Sequence, residues 1–105
     1  MADKNLGQSP EEDLEETKPL KTASGSTEQI DVFSNRVIIR EKGLSNSLKV
    51  RAEFKPSQIT SIIIKPAGTL YDGNMELTAF GIKYYVKFKA YTQPDFEQIK
   101  VLLSK

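Results

Sequence analysis

The sequence predicts a mainly β fold, a small antiparallel barrel or sandwich of six or seven strands capped by one C-terminal amphipathic helix. The segments 48–55 and 82–90 alternate apolar with polar residues, so each offers one face to a core and one to solvent. The end of the chain shows large apolar residues at helical spacing: Phe96, Ile99, Leu102 and Leu103. A chain of 105 residues has room for one domain.

Residues 1–28 are predicted to be a disordered acidic tail, and residues 29–105 to be the folded domain. The only leucines of the tail are Leu6, Leu14 and Leu20, which carboxylates and other polar residues separate. Such a segment buries too little apolar surface to offset the entropy lost on ordering. The tail carries a net charge of −4, whereas twelve Lys and Arg against seven Asp and Glu give the domain +5.

The strands are predicted between turn-forming residues at 29–33, 36–41, 48–55, 58–65, 69–71, 74–80 and 82–90. The segment 58–65 is largely β-branched, as a central strand should be. Asp72 and Gly73 predict a two-residue hairpin turn, and Gly81 predicts a type II′ turn at its first central position. Thr92 and Asp95 have the spacing of a capping box at the start of the helix.

The composition argues against an enzyme. The chain has no cysteine and no histidine, so it lacks disulfides, Cys or His zinc ligands, and thiol or imidazole nucleophiles. It has no glycine-rich phosphate loop and no nucleophile elbow. Asp72–Glu76 is similar to the start of a calcium loop, but its glycine is misplaced and a hairpin explains it better. We expect no cofactor, no bound metal and no small-molecule substrate. Because the N-terminus lacks a basic region followed by an apolar signal region, we also expect a cytoplasmic protein.

The element order, and the runs FKPSQITSIIIKPAGTLYDGNMEL (54–77) and YTQPDFEQIKVLLSK (91–105), resemble those of short bacterial pleckstrin-homology-like (PH-like) domains. The resemblance covers residues 29–105. It implies a PH-like fold in a family that is mostly uncharacterised, non-enzymatic and often self-associating. Relatives that bind inositol phospholipids use a basic pocket around the first strand–strand loop, where this chain has only Arg36.

A basic hairpin is the candidate site for an anion or a lipid headgroup. Its members lie at the ends of two adjacent strands: Arg40, Lys42, Lys49 and Arg51. Arginine binds phosphate and carboxylate groups with two parallel hydrogen bonds, so this hairpin could hold either. A solvated strand face, partly neutralised by Glu41 and Glu53, is the preferred interpretation.

A second basic stripe is the candidate nucleic-acid surface. Alternation places four side chains on one face of the last strand: Lys83, Tyr85, Lys87 and Lys89. The lysines could follow a single-stranded backbone while Tyr85 stacks on a base. Lysines also protect edge strands from unwanted pairing, and +5 is low for a nucleic-acid module, so this function is the less favoured one.

The candidate partner loop contains Leu70 and Tyr71, between Pro66 and Gly73, with Leu44 as a second choice. The sequence therefore predicts a non-catalytic interaction module that binds a protein partner or self-associates. Binding of an anionic ligand or an anionic membrane surface is the alternative. The acidic tail could also fold over the basic domain and compete with an anionic ligand.

Overall fold

The computed structural model describes residues 18–104, which form two antiparallel sheets and one α-helix. The strands are β1 Lys21–Ser24, β2 Glu28–Val32, β3 Val37–Lys42, β4 Leu48–Phe54, β5 Ile59–Lys65, β6 Gly73–Ala79 and β7 Ile82–Phe88, and the helix is α1 Gln93–Leu103. The first sheet has the order β1-β2-β3-β4 and the second has the order β5-β6-β7. The predicted mainly β fold with a C-terminal helix is confirmed, but within the described residues the sheets do not close into a barrel.

The strand β1 lies inside the segment predicted to be a disordered tail. It pairs with β2, and Ala23 is fully buried opposite Ile30. The tail prediction is therefore wrong for residues 21–28, and residues 1–17 lie outside the described part of the chain. The prediction failed because it counted large apolar side chains, whereas β1 contributes its backbone pairing and a single small side chain to the core.

A β-bulge in β4 changes which residues face the core. Ile39 pairs with Ala52 and Arg40 pairs with Val50, so Arg51 is the extra residue. The alternation beyond the bulge is reversed: Val50, predicted to face the core with Ala52, is half exposed. Phe54, on the near side of the bulge, is buried as predicted.

The second sheet departs from the prediction in its strand order and in its connections. β5, predicted to be central, is an edge strand. Residues 69–71 form no strand, and Gly73 begins β6 instead of occupying a hairpin turn. Phe80 and Gly81 both have positive φ, +57° and +73°. The β6–β7 connection is therefore a type I′ turn, in which Gly81 is the second central residue.

The core lies between the two sheets and the helix. Phe88 of β7 stacks on Phe96 of α1 with ring centroids 4.6 Å apart, and both are fully buried. The helix also contacts β1 and β5. Thr92 does not cap the helix; its hydroxyl donates to the Lys89 carbonyl at 3.0 Å. Asp95 in the first turn instead pairs with Lys21 of β1, 2.9 Å away.

The two sheets meet at the turn between β1 and β2. The Ser26 amide donates to the Lys87 carbonyl of β7 at 2.7 Å. Gly25 is buried there, and a Cβ at its position would lie 2.3 Å from the same carbonyl oxygen. Only glycine permits this approach of two backbones, so Gly25 fixes how the first sheet sits on the second.

Candidate functional site

The connection between β5 and β6, residues 66–72, carries the most exposed large apolar side chain among the described residues. Leu70 is 94% exposed and its neighbour Tyr71 is 68% exposed. This β5–β6 loop was predicted to be the partner loop, and its tip does face solvent. A leucine and a tyrosine side by side at a loop tip form an apolar surface that water hydrates poorly.

Both ends of the β5–β6 loop are held by specific polar contacts. At the first end, the Ala67 amide donates to Gln93 Oε1 at 2.9 Å, and Gln93 is in turn oriented by donating to Glu97 at 2.7 Å. At the second end, Asp72 pairs with Lys89 Nζ at 2.9 Å. Asp72 also accepts a hydrogen bond from the Ser26 hydroxyl at 3.3 Å. The loop is therefore tied to α1, β7 and the β1–β2 turn.

The ion pair between Asp72 and Lys89 shifts the pKa of both groups. The hydrogen bond from Lys89 lowers the pKa of Asp72 below its usual 3.8, with a smaller contribution from the Ser26 hydroxyl. The same hydrogen bond raises the pKa of Lys89 above 10.5. Both groups are solvent-accessible, so the pair adds little to the stability of the fold. Its main effect is to hold the end of the loop against β7.

Two glycines, Gly68 in the loop and Gly73 at the start of β6, let the backbone lie close to aromatic rings. A Cβ at Gly73 would lie 2.3 Å from the Phe88 ring, and a Cβ at Gly68 would lie 2.6 Å from the Tyr71 ring. The Gly68 amide also donates to the Tyr71 carbonyl at 3.0 Å, which closes a turn. The Tyr71 ring thus packs on Gly68, and these contacts define the shape of the loop tip.

The basic hairpin is divided between the two faces of its sheet. Arg40 and Lys42 share one face of β3, whereas Lys49 pairs across from Glu41 and so lies on the other face. Arg51, in the bulge, forms an ion pair with Glu28, which is opposite Glu41 in the ladder. The four cations predicted as one anion site are therefore not on one surface.

Three of these four cations also have partners within the protein. Arg40 Nε donates to Asp31 at 2.8 Å, and the ammonium group of Lys42 donates to Ser24 and to the Gly25 carbonyl. Arg51 has Glu28. Among the described residues only Lys49 of this set has no such contact, so the geometry gives the anion-site prediction little support.

The second basic stripe is on one face, as predicted, but two of its lysines are paired. Lys83 lies 3.5 Å from Glu76, and Lys89 pairs with Asp72. Tyr85 is about half exposed. Lys87 is the stripe's one lysine without an ion pair within the part of the chain that the structure describes.

A second exposed apolar site, which was not predicted from the sequence, lies at the β6–β7 turn. Phe80 is 64% exposed and Ile82 is 53% exposed. A phenylalanine with positive φ is unusual, because the left-handed region disfavours residues with a bulky side chain. The signal was present in the sequence: Phe80 precedes Gly81 where a type I′ turn normally has asparagine or aspartate.

The described residues contain no group of three His, Cys, Asp or Glu side chains arranged to hold a metal ion. Nor does any helix within residues 18–104 have the length and apolar character needed to cross a membrane. Comparison of the chain with protein-family models, with curated proteins and with solved structures gives no match.

Proposed function

We propose that this protein is a non-catalytic interaction module that binds a protein partner through the tip of its β5–β6 loop. The observation that carries the proposal is the contrast between an exposed tip, Leu70 and Tyr71, and two fixed loop ends, Ala67 and Asp72. An ordered loop has already lost most of the entropy that binding would otherwise remove, so its apolar surface contributes more to affinity.

The tip also has the residue types that dominate protein interfaces. Tyrosine is enriched at the positions that carry most of the binding energy, and it combines a large apolar ring with a hydroxyl. Leu70 beside it would fill a pocket on the partner. Acidic or phosphate ligands are a poorer fit, because Asp72 at the loop end lies beside the tip and already neutralises Lys89.

The proposed fold is PH-like. Seven strands followed by one C-terminal helix are the element order of PH-like domains, and this order supports the resemblance found in the sequence. Binding modules often place their contact residues on loops that a rigid scaffold positions, which is the arrangement that we propose here.

Site-specific photo-cross-linking in the cells that produce the protein tests this function. A benzophenone amino acid replaces Tyr71 in one variant and Tyr85, on the outer face of the second sheet, in the matched control. We expect a discrete protein adduct from position 71 and none from position 85. The adduct should disappear when Leu70→Ser is added, because the partner then loses half of the apolar tip.

Two results would contradict the proposal. One is the absence of any protein adduct from position 71 while the variant is folded and photoactive. The other is the same set of adducts from positions 71 and 85, since nonspecific contact does not distinguish the tip from the sheet face.

A further inference from the structure

We infer that β5 pairs with β5 of a second copy of this chain, so that two second sheets join into one six-stranded sheet. This surface is separate from the tip of the β5–β6 loop, and the inference does not depend on the proposed function. The inference follows from the edge position of β5 and from its apolar side chains. It also follows from the sequence of the strand, which can pair in antiparallel register with a second copy of itself.

The middle of the edge strand β5 has no charge, proline or bulge. The register shift of the strand lies at its first end, between Ile59 and Ser61, and Lys65 and Pro66 follow at its other end. β6 occupies one side of it, and no strand lies on the other side in the described structure. Six consecutive residues, Ile59–Ile64, carry no charge, and four of them are isoleucine. Natural edge strands normally carry charges, proline or a bulge that prevent another strand from adding.

The other edges of the described sheets are protected. β4 has the bulge at Arg51 and alternating charges at Lys49, Arg51 and Glu53. β7 carries Lys83 and Lys87, and its end is hydrogen-bonded to the β1–β2 turn. β1 packs more extensively against α1 than β5 does, and its Lys21 pairs with Asp95 of the helix. The uncharged stretch Ser61–Ile64 on the free edge of β5 is therefore the least protected part of an edge in the described sheets.

The helix does not cover β5 completely. Ile62 and Ile64 pack against the core and are only partly buried, and Ile63 on the opposite face is 44% exposed. Three consecutive isoleucines thus retain apolar surface in contact with water. An added strand would cover part of each of them.

The regular part of β5 is complementary to itself. The register with β6 shifts between Ile59 and Ser61, so the regular ladder covers 61–65 and its middle residue is Ile63. Antiparallel pairing about Ile63 places Ile63 opposite its own copy. It also places Ile62 opposite Ile64 twice, and Lys65 opposite Ser61. Each of the three isoleucines of the regular ladder then meets an isoleucine, and no like charges face each other.

The symmetry of this pairing gives a closed dimer. The same residues contribute on both sides of a two-fold axis, which makes the contact isologous and limits assembly to two copies. One added strand pair is a small interface, below roughly 1,200 Å² of total buried surface, so the dimer should be weak and concentration-dependent.

Sedimentation velocity across a concentration series tests the dimer. We expect the full chain to shift from monomer to dimer with rising concentration, and Ile63→Lys to remain monomeric because two lysines would face each other across the axis. Val50→Lys is the matched control: Val50 is a comparably exposed apolar residue on another edge strand, β4. It should dimerise like the unmodified chain, and circular dichroism should show that both variants are folded.

Cysteine trapping tests the register, since the chain has no cysteine of its own. Ile63→Cys should form a disulfide-linked dimer under mild oxidation, because opposed residues in an antiparallel pair lie within disulfide reach. Ser61→Cys should not, because its symmetry mate would be four residues away along the strand, about 13 Å.

Three results would overturn the inference. They are a chain that is monomeric at all concentrations, a dimer that survives Ile63→Lys, and equal trapping at both cysteine positions. Leu70→Ser should leave the dimer unchanged, which separates it from the function of the loop tip.

Discussion

The two sheets use their polar residues differently. On the outer face of the first sheet, the Asp31 carboxylate is buried and accepts hydrogen bonds from Thr22 at 2.9 Å, Gln29 at 3.0 Å and Arg40 at 2.8 Å. On the outer face of the second sheet, Ile63, Glu76 and Tyr85 lie side by side across the three strands. There the two apolar side chains are about half exposed.

This difference supports the proposal about where a partner binds. Cations that are already paired with carboxylates must exchange those partners before they bind an external anion, so the basic hairpin is a poor site. Exposed apolar side chains on a fixed scaffold lose only water when they bind. We therefore propose that interaction takes place at the second sheet, through the β5–β6 loop and the uncharged residues Ile59–Ile64 of its edge.

The largest expected effect tests the polar network of the first sheet. Asp31→Ala removes a buried acceptor and leaves Arg40, Gln29 and Thr22 without their partner. We expect the free energy of unfolding to fall by about 3 kcal/mol, as when one member of a buried ion pair is deleted. Urea unfolding followed by circular dichroism measures it.

The matched control for Asp31 is the carboxylate on the outer face of the second sheet. Glu76→Ala should lower the free energy of unfolding by less than about 1 kcal/mol, because its partner Lys83 is well exposed and returns to water. Equal losses for Asp31→Ala and Glu76→Ala would show that the two faces do not differ in the way described.

The next effect tests the junction between the sheets. Gly25→Ala puts a methyl group against the Lys87 and Glu28 carbonyls, and we expect a loss of about 2 kcal/mol from the resulting displacement. Gly81→Ala is the control: it has the strained positive φ but open space around it, so its loss should be about 1 kcal/mol. Thermal unfolding compares the two, and a larger loss for Gly81→Ala would contradict the account of Gly25.

Local sequence patterns predicted the strands and the helix in which apolar residues recur at regular spacing within the element. β6 and β7 alternate regularly, and the spacing of Phe96 and Ile99 predicted both α1 and its buried face. The placement of Leu70 and Tyr71 in a loop was predictable because Pro66 and Gly68 interrupt the chain directly after β5. In each of these cases the residues that decide the structure are neighbours in the chain.

The features that depend on distant residues were not predictable. Nothing near Arg51 indicates a bulge, because the register of β4 is set against β3. The partners of Arg40 and Lys42 lie on β1, β2 and the turn between them, part of which was assigned to the tail. The composition of β5 indicates a strand, yet whether that strand is central or at an edge depends on the order of the whole sheet.

The smallest effect concerns the ion pair that holds the end of the β5–β6 loop. Because Lys89 lowers the pKa of Asp72, the pair stabilises the folded loop at pH values above 3.8, and this contribution is lost as the pH falls through the lower folded pKa. A carboxyl carbon NMR titration should place the Asp72 midpoint below 3.8, and Lys89→Met should move it up toward 3.8. Lys87→Met should leave most of the lowering in place, since Lys87 acts on Asp72 only through a weaker, longer-range attraction. If Lys87→Met raised the midpoint more than Lys89→Met, the loop end would be held by the general charge of β7. The specific contact that makes the second sheet a fixed scaffold would then be absent.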